Sequence, residues 1–200
     1  MMNAKTPRVL LVIGSFLAGL IVFLAVILFI AGGAPLVGGG QGSAIGGPFN
    51  LVDQNGKAIT DRDMRGKPFL VFFGYTHCPD VCPTTLFDAS EVMRALGKDA
   101  DRTAMLFITV DPERDTPAVL KDYLSNFDPH VRGLTGTQDA IAAVERKYRV
   151  YSKKVPEKDG EYSMDHSAIV YLMSKDGSFV APFNLARKPQ DAAADLRKYM

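Results

Sequence analysis

Two cysteines four residues apart, Cys78 and Cys82, are the only cysteines of the chain. In a helix, residues at i and i+4 lie on one face with their Cα atoms about 6 Å apart. This separation falls within the range of roughly 4.4–6.8 Å that a disulfide requires, and it also lets two thiolates contact one metal ion. The spacing therefore predicts either a disulfide or a metal clamp, and each state excludes the other.

A metal clamp needs a third ligand, and the chain contains three histidines: His77, His130 and His166. His77 adjoins the cysteine pair but should leave the turn in a different direction, and His130 stands in a loop without a companion. His166 comes just before a β-rich run, and in the fold predicted below the loop before this strand lies against the cysteine turn. We therefore predict that Cys78, Cys82 and His166 form one site.

The chemistry of such a site depends on the metal that it binds. Two thiolates and one imidazole suit a soft Cu(I) ion in near-trigonal geometry. Zinc also binds cysteine and histidine, but zinc sites usually have more ligands nearby in the sequence. Softness and ligand number therefore favour copper over zinc.

Redox chemistry is the main alternative to metal binding. A cysteine pair can cycle between dithiol and disulfide through thiolate attack on another disulfide, although thioredoxin-type motifs have two intervening residues rather than three. In that reaction we expect Cys78 to attack and Cys82 to resolve. A purely structural disulfide is a weak interpretation, because so short a loop removes little chain entropy from the unfolded state. A peroxidase-like activity would rest on fold analogy alone.

The elements that must position these residues alternate between strands and helices. Apolar runs within residues 68–75 and 104–110 predict strands that are buried on both faces. Turn signals at Asn55-Gly56 and Asp176-Gly177 predict β-hairpins near the two ends of the domain, and residues 167–172 are rich in strand formers. Segments with helical apolar spacing or helix-start signals are residues 84–96, 116–127, 137–148 and 189–200.

This order predicts an α/β fold with a mostly parallel sheet covered on both faces. The plan β-α-β-α followed by β-β-α is thioredoxin-like, with extra strands at the N-terminal end. Functional sites of such sheets lie at the carboxyl ends of the strands, and the cysteine pair directly follows the first buried strand. A helix that begins there should favour the thiolate form of both cysteines near neutral pH.

A polar loop follows the second buried strand at the same edge of the predicted sheet. Three of its charged residues, Asp111, Arg114 and Asp115, could serve a site, and Thr116 follows them. The loop either shapes the cleft and meets a partner, or forms ion pairs and caps the next helix at Thr116. Both interpretations stay open on the sequence.

The N-terminal part of the chain predicts a membrane anchor. Residues 9–31 form an uncharged apolar run, and a bilayer needs about 20 such residues, whereas the apolar core of a cleaved signal peptide has roughly 7–15. Lys5 and Arg8 precede the run, and no Lys or Arg lies between residues 31 and 56. The positive-inside rule therefore places residues 1–8 in the cytoplasm and the rest of the chain outside.

The resulting organisation is that of a single-pass protein of the bacterial inner membrane. A Gly-rich tether, residues 32–48, links the anchor to a periplasmic domain, residues 49–200. Disulfides can persist in the periplasm, so the cysteine pair is exposed to oxidation there. The net charge of +1 gives no basis for expecting nucleic acid as a partner.

Three motifs resemble the signatures of the Sco/SenC family, membrane-anchored copper proteins that assist the assembly of cytochrome c oxidase. They are Gly-Tyr-Thr-His-Cys-Pro-Asp-Val-Cys-Pro at residues 74–83, Val-Asp-Pro-Glu-Arg-Asp-Thr-Pro at 110–117 and Asp-His-Ser at 165–167. The resemblance covers residues 49–200. It implies a thioredoxin-like copper-binding domain in which Cys78, Cys82 and His166 bind Cu(I) or Cu(II).

The family resemblance also implies a function. Copper is expected to be delivered to the dinuclear copper site of a cytochrome c oxidase subunit. The alternative is a thiol-disulfide reductase that keeps the cysteines of that site reduced. Another periplasmic copper carrier and a thioredoxin-like reductant are further expected partners. Met164 stands where many relatives carry a β-branched residue, and the charged segment 153–161 predicts that the loop carrying His166 is mobile until copper arrives.

Overall fold

The computed structural model describes residues 6–32 and 45–200, except for the side chain of Asp159 and for side chains of the first segment outside residues 14–27. The chain divides into two compact units, Met1–Gln41 and Gly42–Met200.

The first unit contains helix α1 (Thr6–Gly32), which includes the predicted anchor, residues 9–31. The side chains of residues 14–27 are exposed. Within the part of the chain that the structure describes, no helix is both long and apolar enough to cross a membrane. The anchor therefore stays a prediction, as do the cytoplasmic segment, residues 1–8, and the tether, residues 32–48, both of which lie largely outside the described residues.

The second unit is built from strands and helices in alternation, as expected for a thioredoxin-like α/β fold. Its strands are β1 (Asn50–Asp53), β2 (Ala58–Thr60), β3 (Phe69–Gly74), β4 (Met105–Thr109), β5 (Val131–Thr135), β6 (Ser152–Pro156), β7 (Tyr162–His166), β8 (Val170–Met173) and β9 (Phe179–Pro182). Its helices are α2 (Val81–Leu96), α3 (Pro117–Leu124), α4 (Gln138–Tyr148) and α5 (Pro189–Arg197), with short 3₁₀ turns at Asp61–Met64, Gly97–Arg102 and Lys158–Gly160.

The main sheet is mixed. Within residues 45–200 it has seven strands in the order β2-β1-β5-β4-β3-β8-β9, and β6 and β7 form a separate hairpin. The β3–β4 and β4–β5 pairs are parallel, whereas the other neighbours are antiparallel. The prediction of a mostly parallel sheet is therefore wrong. The hairpins predicted at Asn55-Gly56 and Asp176-Gly177 are confirmed, and they form the two edges of the sheet. They add antiparallel strands to it, because a tight turn can join only antiparallel strands.

Strands β3 and β4 lie at the centre of the core. All residues of both strands are buried, which agrees with their continuous apolar sequences and requires cover on both faces. Helix α2 packs against α5 and buries its predicted apolar face, which consists of Leu86, Ala89, Met93 and Leu96. The carboxyl end of β3, from which the cysteine segment emerges, is therefore held rigidly.

The bounds of some elements differ from the prediction. Helix α2 begins at Val81 rather than at residue 84, because Pro83 in the first helical turn needs no hydrogen-bond partner for its nitrogen. Helix α3 ends at Leu124 rather than near residue 127. Strand β5 is not indicated by the sequence, since Gly133 interrupts its apolar pattern. A Cβ at Gly133 would lie 2.6 Å from Cδ1 of Leu124, so the glycine is required for packing.

The predicted loop before the last strands is instead a β-hairpin. Strands β6 and β7 pair antiparallel, with Ser152 opposite His166 and Lys153 opposite Asp165. Opposite charges on neighbouring strands favour this pairing. The paired residues are separated in the sequence, so local sequence patterns do not indicate the hairpin. His166 therefore ends a strand rather than standing in a loop.

Candidate metal centre

The cysteine pair lies where β3 ends and α2 begins. Cys78 is in the turn before the helix, and Cys82 is in the first helical turn. The backbone N–H of Cys82 donates a hydrogen bond to Sγ of Cys78 at 3.4 Å, since the first N–H groups of a helix have no partner within it. The premise that both cysteines share a helical turn is therefore wrong, yet the helix start still directs both sulfurs to one place.

Three side chains converge at this point: Cys78, Cys82 and His166. Their ligand atoms all lie within 4.8 Å of one another, and Sγ of Cys82 is 3.6 Å from Nε2 of His166. Both cysteines are free thiols. In the part of the chain that the structure describes, this is the group of cysteine, histidine and carboxylate side chains that is close enough to hold a metal ion.

The imidazole of His166 is oriented by its neighbours. The rings of Phe72 and Tyr75 contact it edge-on, at centroid distances of 6.3 and 5.8 Å. Nδ1 lies 3.2 Å from the carbonyl oxygen of Ser167, so a proton on Nδ1 donates to that oxygen and leaves the Nε2 lone pair facing Cys82. Histidines that bind metals usually have such a second partner, which fixes the tautomer.

Burial distinguishes the two thiols. Cys82 is completely buried, whereas Cys78 is half-buried. Burial raises the pKa of the Cys82 thiol far above its ordinary value, because removal from water disfavours the charged thiolate. The prediction that the helix start keeps both cysteines partly ionised is therefore wrong for Cys82. A metal ion held by this thiol would have to displace its proton.

The close approach of Cys82 to the strand requires a glycine at position 74. A Cβ at Gly74 would lie 2.7 Å from Sγ of Cys82 and 2.6 Å from the ring of Phe107. Neither neighbour has room to withdraw, because both are completely buried in a close-packed core. Gly74 is the first residue of the 74–83 motif. The sequence alone does not show that a glycine is required there, because the requirement comes from packing in the folded protein.

Asp115 holds the cysteine turn from the polar loop after β4. Its buried carboxylate accepts hydrogen bonds from the backbone N–H and hydroxyl of Thr76 at 3.0 and 2.6 Å, and from the hydroxyl of Thr109 at 2.6 Å. Burial raises the pKa of Asp115, and the hydrogen bonds from Thr109 and Thr76 oppose that shift. Because Thr76 is two residues before Cys78, the carboxylate ties the cysteine turn to β4.

Arg114 and Asp111 reach the other side of the site. Arg114 forms an ion pair with Asp111 and donates from Nη1 to the carbonyl oxygen of Tyr162 at 2.9 Å. The Tyr162 hydroxyl donates to Asp111 at 3.0 Å. Thr116 caps α3 by accepting from the N–H of Val119 at 3.3 Å. Both interpretations of this loop are therefore correct in part, because it shapes the site and also caps the next helix.

The other two histidines lie outside the cluster. His77 is exposed, with Nδ1 3.1 Å from the hydroxyl of Thr76. The prediction that His130 has no companion is wrong. Its Nδ1 is 2.7 Å from Asp128, and its Nε2 is 3.1 Å from Asp101. Burial lowers the pKa of His130, but the hydrogen bonds with these two carboxylates outweigh it and raise the pKa above its ordinary value.

Tyr123 is a further residue near the cysteines that the sequence does not indicate. Its buried hydroxyl has no hydrogen-bond partner among the described residues, and its ring packs against Phe107 at a centroid distance of 6.0 Å. Burial raises the pKa of Tyr123, and ionisation of Cys82 or Cys78 would raise it further. The hydroxyl therefore stays protonated beside the site.

A groove of about 510 Å³ adjoins the cluster. Tyr75, which also contacts the His166 ring, lines this groove. The other lining residues are His77, Pro79, Arg114, Glu157, Glu161, Tyr162, Ser163, Met164 and Asp165. The groove therefore lies beside the cysteine turn, because His77 and Pro79, the two neighbours of Cys78 in the sequence, are among its lining residues.

Comparison with known proteins places this geometry in context. The SCO1/SenC family model matches residues 38–200. A SCO2-like protein of Rickettsia felis is 39% identical over 155 residues, which cover 76% of this chain and 76% of that protein. The bovine mitochondrial SCO2 homolog is 41% identical over 162 residues, and the match covers 79% of this chain but 61% of the bovine protein.

Solved structures with the same fold include proteins determined with copper bound. Copper-bound ScoI of Bradyrhizobium japonicum is 66% identical, with a TM-score of 0.77 over 78% of this chain and 99% of that chain. Copper-bound ScoI of Arabidopsis thaliana is 37% identical, with a TM-score of 0.71 over 78% of this chain and 97% of that chain. These matches confirm the thioredoxin-like α/β fold of the domain, and the chain belongs to the SCO1/SenC family.

Proposed function

We propose that this protein is a copper-binding metallochaperone in which Cys78, Cys82 and His166 hold one copper ion. The observation that carries the proposal is the convergence of two thiols and one imidazole within 4.8 Å. This donor set suits the soft Cu(I) ion, which accepts thiolate and imidazole ligands at low coordination number. The two ScoI relatives determined with copper bound support the choice of metal.

Delivery requires that the bound copper can also leave. The half-buried Cys78 is the ligand that a recipient could reach first, whereas the buried Cys82 and His166 would hold the ion from the protein side. We propose the dinuclear copper site of cytochrome c oxidase as the recipient and another periplasmic copper carrier as a donor. Family membership supports the recipient.

A thiol-disulfide reductase is the alternative function. The more accessible Cys78 would attack the disulfide of an oxidised recipient site, Cys82 would resolve the mixed disulfide, and the recipient would leave with two thiols while Cys78 and Cys82 become a disulfide. A thioredoxin-like reductant would then restore the pair. Reduced, metal-free protein that leaves an oxidised copper-site peptide unchanged would exclude this alternative.

The proposed location is the inner membrane of a bacterium, with residues 9–31 as a single span and the domain of residues 49–200 in the periplasm. The exposure of large apolar side chains on α1 supports the anchor, since Phe16 is 74% and Ile21 is 66% exposed. A run of such side chains is unfavourable in water and favourable in lipid.

Copper retention by the full-length protein in detergent tests the proposed function. Reduced protein, loaded with Cu(I) and passed over a competing chelator, should keep about one copper per chain, and oxidised protein should keep none. Cys78→Ser, Cys82→Ser and His166→Ala should each lose most of the metal, whereas His130→Ala should keep it. A wild-type protein without copper, or a His166→Ala variant with full retention, would refute the assignment.

A further inference from the structure

The two halves of the metal centre are held by the fold in very different ways. The cysteines follow β3, which is completely buried, and Asp115 ties their turn to β4. His166 ends β7, which belongs to a separate two-stranded hairpin and not to the main sheet. No residue of β6 or β7 is fully buried. The distance between the sulfurs and the imidazole therefore depends on what holds this hairpin to the domain.

Arg114 contacts this hairpin through several groups at once. It donates from Nη1 to the backbone carbonyl of Tyr162 at 2.9 Å, and its guanidinium carbon lies 3.7 Å from the centroid of the Tyr162 ring. The Tyr162 hydroxyl turns back to Asp111 at 3.0 Å, and Asp111 forms an ion pair with Arg114. Arg114 and Asp111 therefore contact the backbone, the ring and the hydroxyl of Tyr162.

The burial of this contact makes it stronger than an ordinary surface ion pair. The side chain of Asp111 is 3% exposed and that of Arg114 is 18% exposed, so water competes little for their hydrogen bonds. A guanidinium can form an ion pair, donate to a carbonyl and stack on a ring at the same time, whereas a lysine ammonium lacks this fork of donors. A second contact of the same loop, Lys154 with Glu113 at 2.7 Å, is exposed and contributes less.

We propose that Arg114 is a positioning residue for the metal centre: by holding Tyr162, it sets His166 at the distance from Cys82 at which one copper ion contacts both. Tyr162 and His166 are the two ends of β7, so the strand transmits the position of one to the other. The inference rests on the copper site proposed above. It assigns Arg114 a role in the geometry of the site without any contact to the metal.

A double-mutant cycle on the full-length protein tests this inference. Replacement of a group that orients a metal ligand usually weakens metal affinity about 10–100-fold, and we expect a loss of this size for Arg114→Ala in Cu(I) competition titrations. In a His166→Ala background, Arg114→Ala should cause no further loss, because the ligand that it positions is already absent. An unchanged affinity of Arg114→Ala, or an equal loss in both backgrounds, would overturn the inference.

Control variants separate positioning from general destabilisation. Arg187 also pairs with a carboxylate, that of Asp195, and lies over an aromatic ring, that of Phe183 at 5.3 Å, and Arg187→Ala should keep wild-type copper affinity. If Arg114→Ala does not fold, Tyr162→Leu cuts the same contact from the hairpin side and should give the same non-additive loss. A Tyr162→Leu variant with wild-type affinity would overturn the inference.

Hydrogen exchange of the metal-free protein gives a readout that needs no copper. In Arg114→Ala, amides of β6 and β7 should exchange faster, while amides of β3 and β4 keep their protection. Slow exchange of the hairpin in this variant would contradict the inference. The failure of the proposed metal site and the failure of this inference give different results. If the wild-type protein retains no copper, the proposed metal site is wrong and the inference falls with it. If the wild type retains copper and Arg114→Ala binds it equally well, only the inference is wrong.

Discussion

Cys78 and Cys82 differ in their access to solvent although they are four residues apart. Cys78 is half-buried and accepts a backbone hydrogen bond from the helix start. Cys82 is completely buried against Gly74, and burial raises the pKa of its thiol. In the proposed functions, an incoming copper ion or disulfide would therefore meet Cys78 first, and Cys82 would react after it loses its proton.

Alkylation of the reduced, metal-free protein should show this difference. Because each unit of pKa changes the thiolate fraction about tenfold, and because burial also blocks access, we expect iodoacetamide at pH 8 to modify Cys78 at least about ten times faster than Cys82. The rates are measured by mass spectrometry on Cys82→Ser and Cys78→Ser, each of which keeps one thiol. Equal rates in the two variants would contradict the assigned burial.

The three side chains that converge could be chosen from the sequence because few residues of the right type exist. The chain has two cysteines and three histidines, and predicted strand order singled out His166. The raised pKa of Cys82 was not predictable, since it depends on burial by Gly74 and the core. The roles of Asp115 and Arg114 likewise depend on partners 39 and 48 residues away.

At the scale of elements, the site is the meeting point of β3, α2 and β7. Strands β3 and β4 and helix α2 were predicted because their signal is local, a buried apolar run or a helical period. Strand β5 and the β6–β7 hairpin were not predicted, because their stability comes from pairing across the sheet rather than from their own sequence. The polar loop after β4 then links the cysteine turn to the hairpin.

Two adjacent residues of that loop allow a matched test of its link to the cysteine turn. Asp115→Ala leaves the Thr76 N–H and the Thr109 hydroxyl without their acceptor, which should lower the free energy of unfolding by about 1–3 kcal/mol. Thr116→Ala removes the N-cap of α3 and should cost about 0.5–2 kcal/mol. Urea denaturation of the metal-free protein measures both.

Copper affinity then distinguishes the two variants. Asp115→Ala should also weaken Cu(I) binding, because the turn that carries Cys78 loses its anchor to β4, whereas Thr116→Ala should bind copper as the wild type does. Loss of affinity in both variants, in proportion to their loss of stability, would show that the loop acts on global stability alone.

At the scale of the whole molecule, pH acts at an edge of the sheet far from the metal centre. His130 precedes β5 and lies at the amino ends of the parallel strands, whereas the metal centre lies at their carboxyl ends. The carboxylates of Asp101 and Asp128 raise the pKa of His130 in the folded protein. Its stabilising contribution is therefore complete below the ordinary histidine pKa of about 6.5 and is lost as pH rises through the higher folded value.

Replacement of His130 should reduce the pH dependence of stability. We expect His130→Gln to lower the free energy of unfolding more at pH 6 than at pH 8, by less than about 1 kcal/mol because the pair with Asp101 is solvent-exposed. Urea denaturation of the reduced, metal-free protein at both pH values measures the difference. An equal effect of the substitution at pH 6 and pH 8 would mean that the two carboxylates do not favour the charged imidazole.

The coordination of copper in the loaded protein tests the central claim most directly. X-ray absorption at the copper edge, on reduced full-length protein loaded with one Cu(I), should show two sulfur ligands and one imidazole nitrogen. His166→Ala should lose the imidazole signal and keep the sulfurs. A copper environment without sulfur, or an imidazole signal that persists in His166→Ala, would contradict the assignment of Cys78, Cys82 and His166 as the copper ligands.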